Sequence, residues 1–368
     1  MRNRRLWTSV LVAAAGLLLA VTACNKKKAA SDEKKTKEAV AQPPALPCPA
    51  TYRKVPADKQ AAAFRCECKP AGVKGAVWGD GIYTADSSIC RAALHAGAIT
   101  AKGGIVTVRR AKGCRFYLSS SKNGIMTHAW GPFKTSFFFD GKGNGTCAEA
   151  KPNGPCPLKY AYLPATAQKP GAEWTCQCLR GSLFGLSWGV DLYTTDSSIC
   201  KAAVHAGAIP KTGGKVTVVA AAGCDYYPGA MRNGVRSMPW GKFRTSFFIK
   251  GKGDGKCKVL KQGEACPARF KDVPKAGPKT KWTCTCDAAA ARFGTVYGSG
   301  TYTADSSICR AALHAGLLKK GKAKVTVVGA PGCPKYVGSV VNNISSRSWK
   351  SYSLSFYFKG KGKGKCPK

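Results

Sequence analysis

Three sets of residues in this chain have types that could do chemistry, and each set recurs. Asp86, Ser87 or Ser88, and His95 resemble an acid, nucleophile and base, and the pattern returns as Asp196, Ser198, His205 and as Asp305, Ser307, His314. Spacing argues against catalysis. Asp86 and His95 on one helix would stand about 13 Å apart along its axis, whereas a relay needs contacts of about 3 Å. Asp86 or Ser87 is better placed to cap the first N–H groups of that helix. The second set is Cys-x-Cys with one histidine per repeat. Metal ligation is the sharp reading, but even cysteine numbers in a chain with an export signal favour disulfides. The third set is the Gly-Lys-Gly runs before Cys147, Cys257 and Cys366. They lack the Lys-Ser/Thr ending of a phosphate loop and open no helix. Their lysines, Lys142, Lys252, Lys256, Lys359, Lys361, Lys363 and Lys365, could still meet anions as point charges. No catalytic residue, metal or cofactor is expected.

These residues sit in a threefold repeat. Tyr83–Gly97 reads YTADSSICRAALHAG, Tyr193–Gly207 reads YTTDSSICKAAVHAG, and Tyr302–Gly316 repeats the first. The offsets of 110 and 109 residues are the size of a small domain. Of 19 cysteines, Cys24 stands alone and the rest form three sets of six: Cys48, Cys66, Cys68, Cys90, Cys114, Cys147; Cys156, Cys176, Cys178, Cys200, Cys224, Cys257; and Cys266, Cys284, Cys286, Cys309, Cys333, Cys366. This predicts modules at 48–147, 156–257 and 266–366, joined by eight-residue linkers. Six cysteines allow fifteen connectivities, so spacing alone leaves the pairing open.

Each module should be α+β. The repeated segment supplies a short helix, with Gly97 at a left-handed C-terminal position. Ile89, Ala92, Ala93 and Ala96 share one face, and Ser88, Arg91 and His95 form a polar seam opposite. Strand signals follow at Ile105–Val108, Val216–Val219 and Val325–Val328. Asn123-Gly124 and Asn233-Gly234 are hairpin turns, while Asn342-Asn343 tolerates the left-handed turn less readily. Ser136–Phe139, Ser246–Ile249 and Ser355–Phe358 read as core strands. Trp130, Trp240 and Trp349 are expected in the core, with a binding platform as the alternative. Each motif histidine lies one turn from a cation: His95 from Arg91, His205 from Lys201, His314 from Arg310. That neighbour and burial favour the neutral ring. A hydrogen bond to a loop carbonyl is the expectation, and a polar ligand contact the alternative.

Residues 1–23 read as a signal peptide, with Arg2, Arg4 and Arg5 before an apolar run. Val21-Thr22-Ala23-Cys24 resembles the lipobox of bacterial lipoproteins. The resemblance implies lipidation of Cys24 and, with Asn25 following, sorting to the outer membrane. Residues 24–47 are a Lys- and Pro-rich tether. The formal net charge is +41, and every module contributes: +10 over 48–147, +9 over 148–265 and +16 over 266–368. A field of that sign favours anionic partners.

The motif Tyr-Thr-x-Asp-Ser-Ser-Ile-Cys-x-Ala-Ala-x-His-Ala-Gly, followed by the Val-Thr-Val strand, the Asn turn and the Ser-Phe strand, resembles the LCCL domain in three copies. The resemblance implies a central helix enclosed by irregular β-structure. Onto this chain it carries the motif residues Asp86, Ser88, His95 and Gly97, Asp196, Ser198, His205 and Gly207, and Asp305, Ser307, His314 and Gly316. It also implies disulfides Cys48–Cys66, Cys68–Cys90, Cys156–Cys176, Cys178–Cys200, Cys266–Cys284 and Cys286–Cys309. Cys114–Cys147, Cys224–Cys257 and Cys333–Cys366 are extra to the animal pattern and most simply pair with each other. In function it implies non-enzymatic extracellular recognition, with an acidic glycan or lipopolysaccharide as partner. A structural or adhesion protein binding other proteins is the alternative, and extracellular nucleic-acid binding a second.

Overall fold

Short strands with alternating burial need something to close them, and here helix and disulfides do it together. The structure is a computed structural model that describes residues 45–60, 63–288, 290–292 and 294–367. The signal segment, Cys24 and the tether up to Pro44 lie outside the described residues. The modules are mixed α+β.

Each module is built on a five-stranded antiparallel sheet. In the first module the order is Phe64–Cys68, Gly104–Lys112, Thr135–Phe139, Ile82–Thr84, Gly79–Asp80, and Leu46–Pro47 pairs in parallel outside Phe64–Cys68. The second orders Glu173–Leu179, Gly213–Ala222, Thr245–Ile249, Leu192–Thr194, Gly189–Val190. The third orders Lys281–Asp287, Lys322–Pro331, Leu354–Phe358, Thr301–Thr303, Gly298–Ser299. The tether expectation is corrected at its end: Leu46–Pro47 belongs to the sheet. Pro155 and Ala265 make the same parallel bridges to Gln177 and Thr285. Because side chains alternate along a strand, Cys66 and Cys68 both face inward, and Glu67 faces out.

The helices are Ile89–Ala96, Ile199–His205 and Ile308–His314, too short to stand without packing. Their N-caps correct the sequence expectation. Ser88, Ser198 and Ser307 do the capping, each accepting from the backbone N–H three residues on. Asp86 accepts instead from Thr84 Oγ1 at 2.5 Å, and Ser87 Oγ accepts from the Trp78 N–H at 3.0 Å. At the other end Gly97, Gly207 and Gly316 are left-handed, with φ of 67°, 71° and 73°. The hairpin asparagines add a cap not foreseen. Asn123, Asn233 and Asn342 donate through Nδ2 to the carbonyls of His95, His205 and His314 at 2.9–3.1 Å. This also explains the third hairpin: Asn342 and Asn343 take φ of 51° and 58°, and the cap stabilises a turn that lacks glycine.

The structure joins Cys48–Cys66, Cys68–Cys90 and Cys114–Cys147, and the equivalent pairs Cys156–Cys176, Cys178–Cys200, Cys224–Cys257, Cys266–Cys284, Cys286–Cys309 and Cys333–Cys366. Cys68–Cys90 and its counterparts fasten the helix to the first sheet strand, which sets the position of the motif. The core then fills with rings: Tyr52 stacks on Phe137 at 5.4 Å, Tyr160 on Phe247 at 4.7 Å and Phe270 on Phe356 at 5.5 Å.

Candidate functional site

The recurrent motif forms a buried polar knot. His95, His205 and His314 are buried, so their seam does not face solvent. Tyr83, Tyr193 and Tyr302 meet the histidine Nδ1 at 2.9, 2.8 and 3.0 Å. On the far side His95 Nε2 reaches Ser120 Oγ at 2.9 Å, His205 Nε2 the Ala230 carbonyl at 3.3 Å, and His314 Nε2 the Ser339 hydroxyl at 3.1 Å. A carbonyl only accepts, so His205 Nε2 carries the proton and the Tyr193 hydroxyl donates to Nδ1. No catalytic relay is assembled, because Asp86, Ser88 and His95 each have different partners. Among the described residues the sulfurs of Cys48, Cys68 and Cys90, and their counterparts, cluster within 4.8 Å. All are engaged in disulfides, so no thiolate is offered to a metal.

Burial holds His95 and His205 below the ordinary 6.5. For His95, Asp80 opposes that shift and Lys122 adds to it. The expected Arg91 effect is thus replaced by Lys122. His205 is opposed by the Ala230 hydrogen bond and Asp191, and assisted by Arg232. His314 follows burial against the Ser339 hydrogen bond, and Tyr302 is pushed up by burial to about 12. The unfolded chain therefore binds more protons than the folded chain below the ordinary pKa. Stability from the three histidines is full above about pH 6.5 and is lost as pH falls toward their depressed folded values, whereas that from Tyr302 is lost only as pH rises from 10 toward about 12. Tm should fall between pH 7.5 and 5. The drop should shrink in a His95→Gln, His205→Gln, His314→Gln variant. An equal slope in both proteins would contradict this origin.

Two clefts open to a ligand lie between modules. The expected core tryptophans are a correction: Trp130, Trp240 and Trp349 are 38–48% exposed, because each ends its bridge to Tyr117, Tyr227 or Tyr336 at the sheet margin. They pair with Trp78, Trp188 and Tyr297 at 5.9, 6.0 and 4.9 Å. Modules one and two dock through this margin. Phe116 stacks on Tyr162 at 5.7 Å, Arg115 donates to the Ala161 carbonyl, Ser119 meets Ser182 at 2.6 Å, and the Ala129 N–H bonds to Gly181 O at 3.1 Å. A Cβ on Gly181 would stand 2.0 Å from the Thr127 carbonyl oxygen. Gly181→Ala should open this docking while leaving each module folded. Faster hydrogen exchange at Ala129, with unchanged exchange in the core strands, is the expected reading.

Beside this docking lies a cleft of about 720 Å³. Arg91, Arg180, Lys201 and Lys211 line it, and no carboxylate does. None of the four has a carboxylate ion-pair partner among the described residues. Burial lowers the Lys201 pKa, and its Nζ donates to the Gly185 carbonyl at 2.8 Å. The cleft lining also carries apolar side chains, with Val204 buried, Leu183 half-buried and Phe184 exposed. His128 stands edge-on to Phe184 at 4.7 Å and leaves a buried Nδ1 without a hydrogen-bond partner. Its pKa is lowered by burial, against a hydrogen bond to Gly181, with Arg91 adding to the fall. His128 and the cleft cations were not singled out from sequence as ligand groups. The signal for His128 existed: it is the one histidine outside the repeated motif, and Met238 and Arg347 occupy its place in the other modules. The lysines expected to meet anions, Lys142, Lys252, Lys256, Lys359, Lys361, Lys363 and Lys365, are exposed on the turns and coil that follow the last sheet strand of each module and line neither inter-module cleft. Among the described residues no helix is long and apolar enough to cross a membrane.

Comparison with known proteins gives the architecture its place. The LCCL domain model matches residues 30–137, 156–247 and 264–356. Cysteine-rich secretory protein LCCL domain-containing 2 of Homo sapiens is 32% identical over 187 residues, 47% of this chain and 35% of that protein. Vitrin of Homo sapiens is 42% identical over 62 residues, 17% of this chain and 9% of its own length. Limulus clotting factor C of Carcinoscorpius rotundicauda is 40% identical over 79 residues, 20% of this chain and 8% of that protein. The matched region thus spans about a third or less of these relatives. With three matches covering most of its length, the chain belongs to the LCCL domain family.

Proposed function

We propose that this is a non-enzymatic surface lipoprotein, anchored to a bacterial outer membrane through Cys24, that binds an anionic envelope or extracellular glycan. The observation that carries the reading is the cleft between modules one and two, with its four cations and no lining carboxylate. Anions gain there from a partly water-excluded wall, where charge pairs are stronger than at an open surface. The apolar lining residues Leu183, Phe184 and Val204 favour an amphiphilic anion, so lipopolysaccharide is preferred over a purely polar polysaccharide. The LCCL resemblance points the same way.

The test is binding of residues 45–368 to purified lipopolysaccharide, acidic glycans, DNA and peptidoglycan at low and at physiological salt. Saturable binding of one class that survives physiological salt is expected. Binding to every polyanion that vanishes with salt would reduce the charge to a nonspecific field and favour the structural or adhesion reading.

A further inference from the structure

The cleft between modules two and three is chemically unlike the first. It has a volume of about 480 Å³, within the range of small-ligand sites. Trp188, Trp240 and Tyr297 present three rings to it, and Asp287, Asp305 and Arg269 supply its charges. All three already have partners: Arg269 pairs with Asp272 at 3.0 and 3.1 Å and lies over the Trp240 ring at 5.4 Å, Asp305 accepts from Thr303 Oγ1 at 2.6 Å, and Asp287 is engaged as well, each carboxylate keeping lone pairs for a further donor. Thr285, Thr295 and Ser307 add hydroxyls to the lining.

Duplication did not copy this chemistry. Where the third module has Asp287, the second has Leu179 and the first Lys69; where it has Arg269, the others have Lys159 and Thr51. Asp287 is therefore particular to this cleft, while Lys159 keeps a cation at the Arg269 position in module two. An anion would meet two carboxylates. A cation would meet the carboxylates but offer no acceptor to the hydroxyl hydrogens of Thr295 and Ser307. A neutral ring with many hydroxyls suits both halves of the lining. Its hydroxyls donate to carboxylates and accept from hydroxyls, as mixed polar lining requires, and its C–H faces lie on aromatic rings.

We infer that the cleft between modules two and three is a binding site for a neutral pyranose unit, held between Trp188, Trp240 and Tyr297 and oriented by Asp287 and Asp305. The site stands independently of anion binding in the first cleft. The two clefts together would let one chain contact both the charged and the neutral parts of a glycan.

The experiment titrates the full chain with neutral hexoses, N-acetylhexosamines and their disaccharides, with choline chloride and inorganic phosphate as the cationic and anionic probes. Tryptophan fluorescence and ligand-detected NMR give the readouts. Saturable binding of at least one neutral sugar is expected at millimolar concentration, with neither choline nor phosphate competing. Asp287→Asn should weaken it at least about tenfold, the scale of one charge-assisted hydrogen bond. Trp240→Ala should abolish it, while Trp130→Ala, in module one and packed on Trp78, should leave it unchanged. A circular dichroism melt shows whether each variant folds, and Asp287→Asn keeps the test sound if Trp240→Ala does not. No sugar binding, preferred binding of choline or phosphate, or sugar binding indifferent to Asp287→Asn would each overturn the inference. Because the titration contains no lipopolysaccharide, its failure leaves the anion reading standing, and the reverse also holds.

Discussion

The Cys178→Ala, Cys200→Ala double variant should lose about 2–5 kcal/mol in the second module, the range for removing a native disulfide from a small secreted domain. Cys178 is fully buried and Cys200 is 1% exposed, and their bridge is the link between the helix Ile199–His205 and the strand Glu173–Leu179. Cys178 Sγ also packs 3.5 Å from Cys156 Sγ of the neighbouring bridge. Loss of the bridge therefore frees a seven-residue helix and leaves a void among buried rings, so loop entropy and packing fall together. Against a domain stability of about 5–15 kcal/mol, this is a large fraction. Urea denaturation should show an early transition separated from that of the other two modules. Removing Cys224 and Cys257 should cost less, because that bridge only ties the chain after Thr245–Ile249 to the end of Gly213–Ala222, with Cys257 exposed. A single unshifted transition in the Cys178–Cys200 variant would contradict the helix-tethering role.

Much of this module could be read from its residues. The threefold motif, the valine strands, the Ser-Phe strands and Gly97 all carry local signals, because periodicity and backbone sterics act over a few residues. The cap was misplaced by one or two residues, since Asp86, Ser87 and Ser88 are all good capping types and only the geometry of the preceding strand decides. Trp130, Trp240 and Trp349 misled for a similar reason: a large ring beside a strand favours the core, and exposure depends on where the sheet ends. The clefts were illegible. Arg91, Arg180, Lys201 and Lys211 come from two modules and share no sequence window, and a chain with 59 lysines and arginines gives no contrast by which to choose four.

Those four carry the second large effect. Arg180→Glu with Lys211→Glu should abolish binding of an anionic glycolipid at physiological salt, because each lost charge-assisted contact costs on the order of 1.5–3 kcal/mol and each new carboxylate repels the ligand. Both side chains are exposed at the cleft rim, so Tm should change little. Lys142→Glu with Lys252→Glu alters net charge equally and serves as the control, with at most a small loss that disappears in salt.

The most direct test of the account is amide hydrogen exchange of residues 45–368 with and without lipopolysaccharide at physiological salt. Protection concentrated at 180–184 and 125–128, on the two walls of the first cleft, is the predicted result. Protection spread over the lysine-rich turns near 142, 252 and 361, with none at the cleft, would contradict it.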